Sequence, residues 1–330
     1  MHTPHVTFLM AAYNAGPYIQ TAIMSAIAQV GVAVEVIVVD DGSTDDTVIK
    51  VLELIEHAPN VRLLQPGSRL GPSGARNAAI AQARGKWLAV LDADDIILPH
   101  RTQQLLDCAH QTGADLVADN LYRFYDGDPE TVWPLLPDDE PYQSWRIKLS
   151  DWIGRNSMLG GEANLGYVKP MVKADFVRRH KVTYSTEVRI GEDYLFVLSL
   201  LVRGAQFSIT SQPMYLYRVH SKSLSHQLDV GILHQLLSAQ NKIASGLSTE
   251  ELKSISSSFL HHQRSIYHAG NYENIKRHIR AKDWSSALNL LTGRPSVAIA
   301  IARIGLNAIK RKYRIWWFTS ARQWFRPARR

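Results

Sequence analysis

The first 120 residues alternate short apolar runs with segments whose apolar positions recur at helical spacing. The apolar runs are nearly continuous and rich in β-branched residues, which is typical of strands buried on both faces. This alternation predicts an α/β fold, in which a doubly wound, mostly parallel central sheet is covered by helices on both faces. The predicted strands are 6–11, 34–39, 61–64, 87–91 and 115–118, and the predicted helices are 17–30, 44–57, 71–84 and 101–112.

The pattern changes after residue 120. We expect a hairpin or loop around 126–128, irregular chain over 134–165, a helix over 194–202 and closing strands at 207–209 and 214–217. From residue 229 onward the spacing is helical. The chain is therefore predicted to have two parts, an α/β domain over 1–228 and a helical extension over 229–330.

An acidic cluster follows the fourth predicted strand. Asp92, Asp94 and Asp95 come directly after four apolar residues, which places three carboxylates at the carboxyl edge of the sheet, where open α/β folds bind ligands. Like charges this close repel unless a cation intervenes, and Mg²⁺ and Mn²⁺ prefer carboxylate oxygens. The cluster indicates a metal site that bridges to a phosphorylated substrate. The alternative is an Asp-rich turn before the next helix.

Three further patterns carry candidate chemistry. Asp41 follows the second predicted strand and could accept a hydrogen bond from a nucleobase, although this pattern alone favours an ordinary Asp-Gly turn, with Ser43 or Thr44 capping the next helix. Arg76 near a helix start could contact a diphosphate or be a solvated surface residue. Asp193, after Gly191 and Glu192, could be a general base or could simply favour a helix N-terminus.

Charge is unevenly distributed along the chain. The net charge is +7, with 37 Lys and Arg against 30 Asp and Glu, but ten of the basic residues and none of the acids follow Gly293. The preceding residues therefore carry 27 basic against 30 acidic groups, which argues against a nucleic-acid-binding cleft. A single cysteine excludes a disulfide framework and is consistent with a cytoplasmic protein. We recognise no signal peptide and no apolar run of membrane-spanning length.

Together the motifs resemble, in order and spacing, glycosyltransferase family 2, whose members have the GT-A fold. The resemblance covers about residues 4–225, and the longer layout is similar to bacterial exopolysaccharide enzymes of the succinoglycan type. Its motifs are Ala11 to Asn14, Val39 to Asp45, Gly71 to Asn77, Leu91 to Asp95 and Gly191 to Asp193.

The resemblance implies a binding site for a nucleoside-diphosphate sugar, with a UDP-hexose as the expected donor. In this interpretation Asp41 reads the uracil N–H, and Tyr13 or Ala11 flanks the base. Arg76 supports the nucleotide, and Asp92 holds the ribose or assists the metal.

The resemblance also implies the catalytic groups. Asp94 is the expected ligand of Mn²⁺ or Mg²⁺, and Asp193 the base that deprotonates the acceptor hydroxyl. His220 is a candidate third metal ligand and Arg218 a candidate phosphate contact, unless both lie in an ordinary surface loop. One base and one metal suffice for direct displacement with inversion. Because the Gln-x-x-Arg-Trp pattern of processive synthases is absent, we expect transfer of a single sugar.

The C-terminal residues 310–326 interleave Lys and Arg with Trp and Phe. Such a segment suits an anionic membrane surface, and peripheral binding to the inner face of the cell membrane would place the enzyme beside a lipid-linked oligosaccharide acceptor. A packed terminal helix with a solvated basic tail is the alternative.

Other functional classes are alternatives to the transferase. A sugar nucleotidyltransferase would usually carry a basic, Gly-rich loop after the first strand, where this chain has Ala12 to Pro17. A glycoside hydrolase could pair Asp94 with Asp193, and a non-catalytic carbohydrate-binding scaffold would need neither acid. A dinucleotide dehydrogenase is disfavoured because no Gly-x-Gly-x-x-Gly follows the first strand.

Overall fold

The computed structural model describes residues 3–137, 141–158, 164–220, 230–293, 297–299 and 302. Within them, a ten-stranded mixed sheet carries helices α1 to α7, and three further helices follow. The strands are β1 (Val6–Ala12), β2 (Val34–Asp40), β3 (Val61–Leu64), β4 (Trp87–Val90), β5 (Ile96–Ile97), β6 (Leu116–Tyr125), β7 (Asp128–Pro134), β8 (Ser144–Ile147), β9 (Met171–Lys173) and β10 (Phe207–Val219). The helices are α1 (Ile19–Ile27), α2 (Thr47–Ile55), α3 (Gly71–Gln82), α4 (Arg101–Thr112), α5 (Leu149–Gly154), α6 (Ala174–Arg179), α7 (Glu192–Leu201), α8 (Val230–Ala244), α9 (Thr249–Arg280) and α10 (Trp284–Thr292).

The sheet order is β3-β2-β1-β4-β9-β6-β10-β5, and its first four strands are parallel. Strands β1 and β2 are buried along nearly their whole length, as their continuous apolar sequences predict. Parallel pairing aligns Ala12 with Asp40 and Leu9 with Val90, so the chain leaves β1, β2 and β4 at one edge. Three of the sequence motifs therefore meet there. The predicted α/β fold is confirmed.

The other half of the sheet mixes strand directions because β9 runs antiparallel to both β4 and β6. The two predicted closing strands are one strand, β10, which pairs in parallel with β6 through register shifts around Pro213. A proline lacks the N–H that a strand ladder needs, and polar residues beside it interrupt the apolar pattern. The sequence pattern therefore predicts two strands where the structure has one. The predicted hairpin around 126–128 is present as β6 and β7.

Two local predictions are wrong. The segment 134–165 is not irregular throughout, because it contains β8 and α5. Neither Ser43 nor Thr44 caps α2, which begins at Thr47 without a side-chain cap. The Ser43 hydroxyl instead accepts a hydrogen bond from the Asn14 N–H (2.9 Å), and the Thr44 N–H donates to Asn14 Oδ1 (2.8 Å). These residues join the loops after β1 and β2.

Helices α8 to α10 form the described part of the C-terminal region. The N-terminus of α9 is closed by a capping box between Ser248 and Glu251. Along its buried face, Ser265 accepts a hydrogen bond from the Met158 N–H (3.2 Å), which joins the helix to the α/β domain. None of the helices in the described ranges is long and apolar enough to cross a membrane.

Candidate active site

A cleft of about 1360 Å³ lies at the edge where β1, β2 and β4 end. Its lining includes all but one of the predicted site residues: Ala11, Tyr13, Asp41, Arg76, Asp92, Asp94, Asp193 and His220. The exception is Arg218. The structure thus brings together motifs that are separated by up to about two thirds of the chain.

One end of the cleft carries the residues predicted to hold a nucleobase. Tyr13 is exposed, and the guanidinium of Arg69 lies 3.9 Å from the centre of its ring. The Asp41 carboxylate accepts hydrogen bonds from the backbone N–H groups of Leu70 (2.5 Å) and Gly71 (3.0 Å). Asp41 therefore holds the start of α3, and since each carboxylate oxygen has two lone pairs it can still accept a further bond. The role of Arg69 was not foreseen from sequence.

Two buried cations and three carboxyl groups form a network in the same cleft, and because it includes the predicted base Asp193 we call it the base end. Arg76 lies 2.7 Å from Asp92, 2.9 Å from Glu192 and 3.4 Å from Asp193. Lys169 Nζ lies 2.8 Å from both Asp92 Oδ2 and Asp193 Oδ2. Arg76 is thus a buried residue and not a solvated one.

Burial and neighbouring charges both shift the pKa values of the groups at the base end. Burial by itself lowers the pKa of Lys169, but Asp193 and Asp92 outweigh it and hold that pKa well above its usual value. Conversely, burial favours neutral Asp92, but Lys169 and Arg76 dominate and lower its pKa. Burial, followed by the neighbouring Asp193, raises the pKa of Glu192. Asp92 is therefore held as a carboxylate, whereas Glu192 is shifted toward its neutral form.

We call the region around Asp94 the metal end. Asp94 Oδ2 lies 2.9 Å from His220 Nε2, and the His220 ring stacks on Tyr18 with 5.7 Å between ring centres. The hydrogen bond with Asp94 raises the pKa of His220 against the smaller opposing effect of burial. The Asp94 side chain is 33% exposed, against 24% for that of Asp92.

The metal end offers two groups to a divalent ion. The described residues contain no cluster of three or more His, Cys, Asp or Glu side chains arranged around a metal. Mg²⁺, however, is commonly held by only one or two carboxylates, with substrate phosphates and water completing its shell. Asp94 and His220 fit such a site, while Asp92 is already occupied by two cations.

Arg218 forms hydrogen bonds to residues at and around the metal end. Its backbone N–H donates to the buried Asp95 (2.8 Å), its Nε donates to the Asp94 carbonyl oxygen (2.8 Å), and Nη1 lies 3.0 Å from Asp126. Arg218 itself is not in the cleft lining, although Asp94 and Asp126, the two partners of its guanidinium, both are, so its role as a phosphate contact stays a prediction. Asp95 faces the interior, where it accepts a hydrogen bond from Tyr215 (2.7 Å).

Part of the cleft lining consists of residues that the sequence motifs did not include. Among them are Asn156, Tyr194, Leu236 and His262. His262 on α9 is buried, its ring centre lies 4.8 Å from that of Tyr194, and burial lowers its pKa to about 4. Gly191 immediately precedes the two acids of α7 and has a positive φ of 88°. The C-terminal helices therefore contribute directly to the cleft.

Comparison with solved structures shows the fold class. Staphylococcus aureus TarS 1–349, in complex with UDP-GlcNAc, superposes with a TM-score of 0.66 at 17% identity over 94% of this chain and 91% of that one. The mannosyltransferase PcManGT of Pyrobaculum calidifontis, in complex with GDP-Man and Mn²⁺, gives a TM-score of 0.54 at 17% identity, covering 94% and 87%. The fold is that of GT-A transferases, as predicted.

Sequence comparison shows the family. The model for "Glycosyl transferase family 2" matches residues 7–172. The succinoglycan biosynthesis protein ExoO of Rhizobium meliloti is 36% identical over 236 residues, 72% of this chain and 67% of the relative. ExoU of the same organism is 32% identical over 248 residues, 73% and 70% respectively. The chain belongs to glycosyltransferase family 2 and is a glycosyltransferase, which agrees with the resemblance seen in its motifs.

Proposed function

We propose that this enzyme transfers one hexose, with inversion, from a UDP-sugar to a saccharide hydroxyl. The observation that carries the proposal is that Asp193, Asp92 and the Asp94–His220 pair all line one cleft. Asp193 accepts the proton of the acceptor hydroxyl, whose oxygen then bonds to the anomeric carbon of the sugar. The bond from that carbon to the diphosphate breaks, and the diphosphate leaves with the electron pair.

A divalent cation, Mn²⁺ or Mg²⁺, held by Asp94 and His220 would supply positive charge beside the leaving diphosphate. At the other end of the cleft, Tyr13 and Ala11 flank the base, Asp41 accepts from the uracil, and Arg69 is a further candidate contact. Asp92 and Arg76 hold the ribose and diphosphate side. The bound UDP-GlcNAc of TarS supports a UDP donor, whereas the GDP-Man of PcManGT supports testing guanosine donors as well.

The test is a screen of UDP- and GDP-sugars for Mn²⁺-dependent release of nucleoside diphosphate. Calorimetry with UDP, with and without Mn²⁺, then compares wild type, Asp94→Ala and the matched control Asp107→Ala on the exposed face of α4. We expect Mn²⁺ to strengthen UDP binding in wild type and the control but not in Asp94→Ala. Undiminished metal dependence in Asp94→Ala would contradict the metal assignment.

We also propose a lipid-linked oligosaccharide acceptor on the inner face of the cell membrane. The support is that the relatives are named for succinoglycan biosynthesis and that residues 310–326 combine basic and aromatic side chains. This tail lies outside the described residues. Aromatic rings can lie at the headgroup level while basic groups meet anionic lipid.

The membrane proposal can be tested in the full-length chain. We expect wild type to co-sediment with anionic vesicles and to be partly released by high salt, which screens the charges. Changing Lys310, Arg311 and Lys312 to Gln should reduce sedimentation, whereas changing the exposed Lys253 of α9 to Gln should not. Equal sedimentation of the tail variant and wild type would contradict membrane binding through the tail.

A further inference from the structure

Lys169 lines the cleft, and the sequence motifs provide no role for it. Its side chain is 7% exposed, and its ammonium group lies 2.8 Å from one oxygen of Asp92 and 2.8 Å from one oxygen of Asp193. A buried lysine is costly unless it is paired, so this position requires both acids. A single cation thus joins the donor side of the cleft to the proposed base.

The main chain at Lys169 is itself fixed. Its carbonyl oxygen accepts a hydrogen bond of 2.6 Å from the fully buried Arg101, which forms a salt bridge of 2.8 Å with buried Asp119. Pro170 and β9 follow directly, and β9 lies antiparallel to β4, so residue 169 is placed beside the chain that leads to Asp92. Both the main chain and the ammonium group are therefore held.

The two oxygens of Asp193 have different surroundings. Oδ2 is bound to Lys169, whereas Oδ1 makes no hydrogen bond within the described part of the chain and lies 3.4 Å from Arg76. A carboxylate fixed through one oxygen has a defined orientation and retains the other oxygen as an acceptor. The contact with Lys169 thus fixes the orientation of the carboxylate, while Oδ1 is itself buried.

We propose that Lys169 is a positioning residue for the transfer reaction: it anchors Asp193 through Oδ2 and so fixes the orientation of the carboxylate that takes the proton of the acceptor hydroxyl. The proposal rests on the assignment of Asp193 as the base. Since Lys169 also binds Asp92, its two contacts together hold the base at a fixed position relative to the donor site. Its effect on the rate is exerted through Asp193.

A double-mutant cycle tests this coupling. In Lys169→Met we expect kcat to fall by about 10²-fold, since misplacement of a reacting group by about 1 Å can cost that much, while UDP affinity falls much less. Lys169→Arg keeps the charge and should recover part of the rate. In an Asp193→Asn background, the Lys169 substitutions should change the residual rate by less than about twofold, because groups that act as a unit are non-additive.

Lys173→Met is the matched control, because Lys173 pairs with Asp115 at 2.9 Å outside the cleft lining, and we expect its kcat to be unchanged. If the fold-losses in rate caused by the separate Lys169 and Asp193 substitutions multiply in full in the double mutant, the proposal is overturned. A wild-type kcat in Lys169→Met would also overturn it. If Lys169→Met does not fold, the cycle is run with Lys169→Arg and the same criterion. A normal rate in Asp193→Asn alone would instead overturn the base assignment, so the two failures are distinguishable.

Discussion

The base end and the metal end use two acids from the same short motif in opposite ways. Asp92 is bound by Arg76 and Lys169, both of them buried, so its charge is neutralised by the protein. Asp94, two residues later, is one-third exposed, and the described structure gives it a hydrogen bond to His220. The difference shows that the first acid is part of a preformed framework, whereas the second is suited to a partner supplied from solution.

Two histidines of the cleft show the same contrast. At the metal end, the hydrogen bond with Asp94 raises the pKa of His220. Near the base end, burial lowers the pKa of His262 to about 4, so that residue is neutral at physiological pH. The histidine that is hydrogen-bonded to Asp94 is thus shifted toward its protonated form, and the buried histidine near the base end toward its neutral form.

The largest expected effect comes from the base itself. Asp193→Asn preserves the shape of the side chain but removes most of its basicity, and loss of a general base typically costs about 10²- to 10⁴-fold in rate. UDP binding should persist, because Asp193 is proposed to contact the acceptor and not the nucleotide. Steady-state transfer rates and UDP calorimetry on the same protein check both statements.

Glu187→Gln is the control for this prediction, since Glu187 is an exposed acid near α7 whose contact with Lys242 is 3.6 Å long. It should transfer sugar at the wild-type rate. Near-normal transfer by Asp193→Asn would direct attention to Glu192 as the base.

The next prediction compares how much substitutions at the two ends lower the stability of the fold. Arg76→Met removes the cation shared by three acids and should lower the free energy of unfolding by about 3–5 kcal/mol, as expected when one partner of a buried pair is lost. His220→Ala should cost less than about 1 kcal/mol, since its partner is partly exposed. Urea denaturation followed by circular dichroism measures both. Equal losses would mean that the ends do not differ in rigidity.

A smaller effect should appear with pH. The pKa of His262 is about 4 in the folded protein and 6.5 in its ordinary state, so the unfolded chain binds the proton first as pH falls. Stability that is present above pH 6.5 is therefore lost progressively toward pH 4, by about 2 kcal/mol between pH 7 and pH 5. His262→Gln should remove this part of the pH dependence in urea denaturation, and the exposed His110→Gln should not. If the free energy of unfolding of His262→Gln depends on pH as strongly as that of wild type, this prediction is wrong.

The sequence allowed prediction of the residues whose position follows from parallel pairing. Once β1, β2 and β4 are recognised as parallel strands, Tyr13, Asp41 and Asp92 must come to one edge of the sheet. The order of the motifs added Arg76 and Asp193, which fold back onto that edge. This part of the candidate site depends on regular geometry, so local patterns were sufficient to find it.

The remaining cleft residues depend on contacts that no local pattern encodes. Lys169 comes beside Asp92 only because β9 inserts antiparallel between β4 and β6, and a three-residue strand has too little periodicity to be recognised. His262 comes to the cleft only through the packing of α9. A buried histidine or lysine in isolation has no distinctive spacing, and its role appears only with its neighbours.

The turn before Asp193 has an implication for how this sequence can change over time. A Cβ atom at Gly191 would lie 2.9 Å from Cδ1 of Leu236 on α8, and the positive φ already disfavours other residues there. A lineage that altered residue 191 would thus need the Leu236 side chain to shift as well as a tolerated left-handed backbone. The acidic turn and α8 are expected to co-vary, and a chimera that exchanged α8 between relatives should exchange the turn with it.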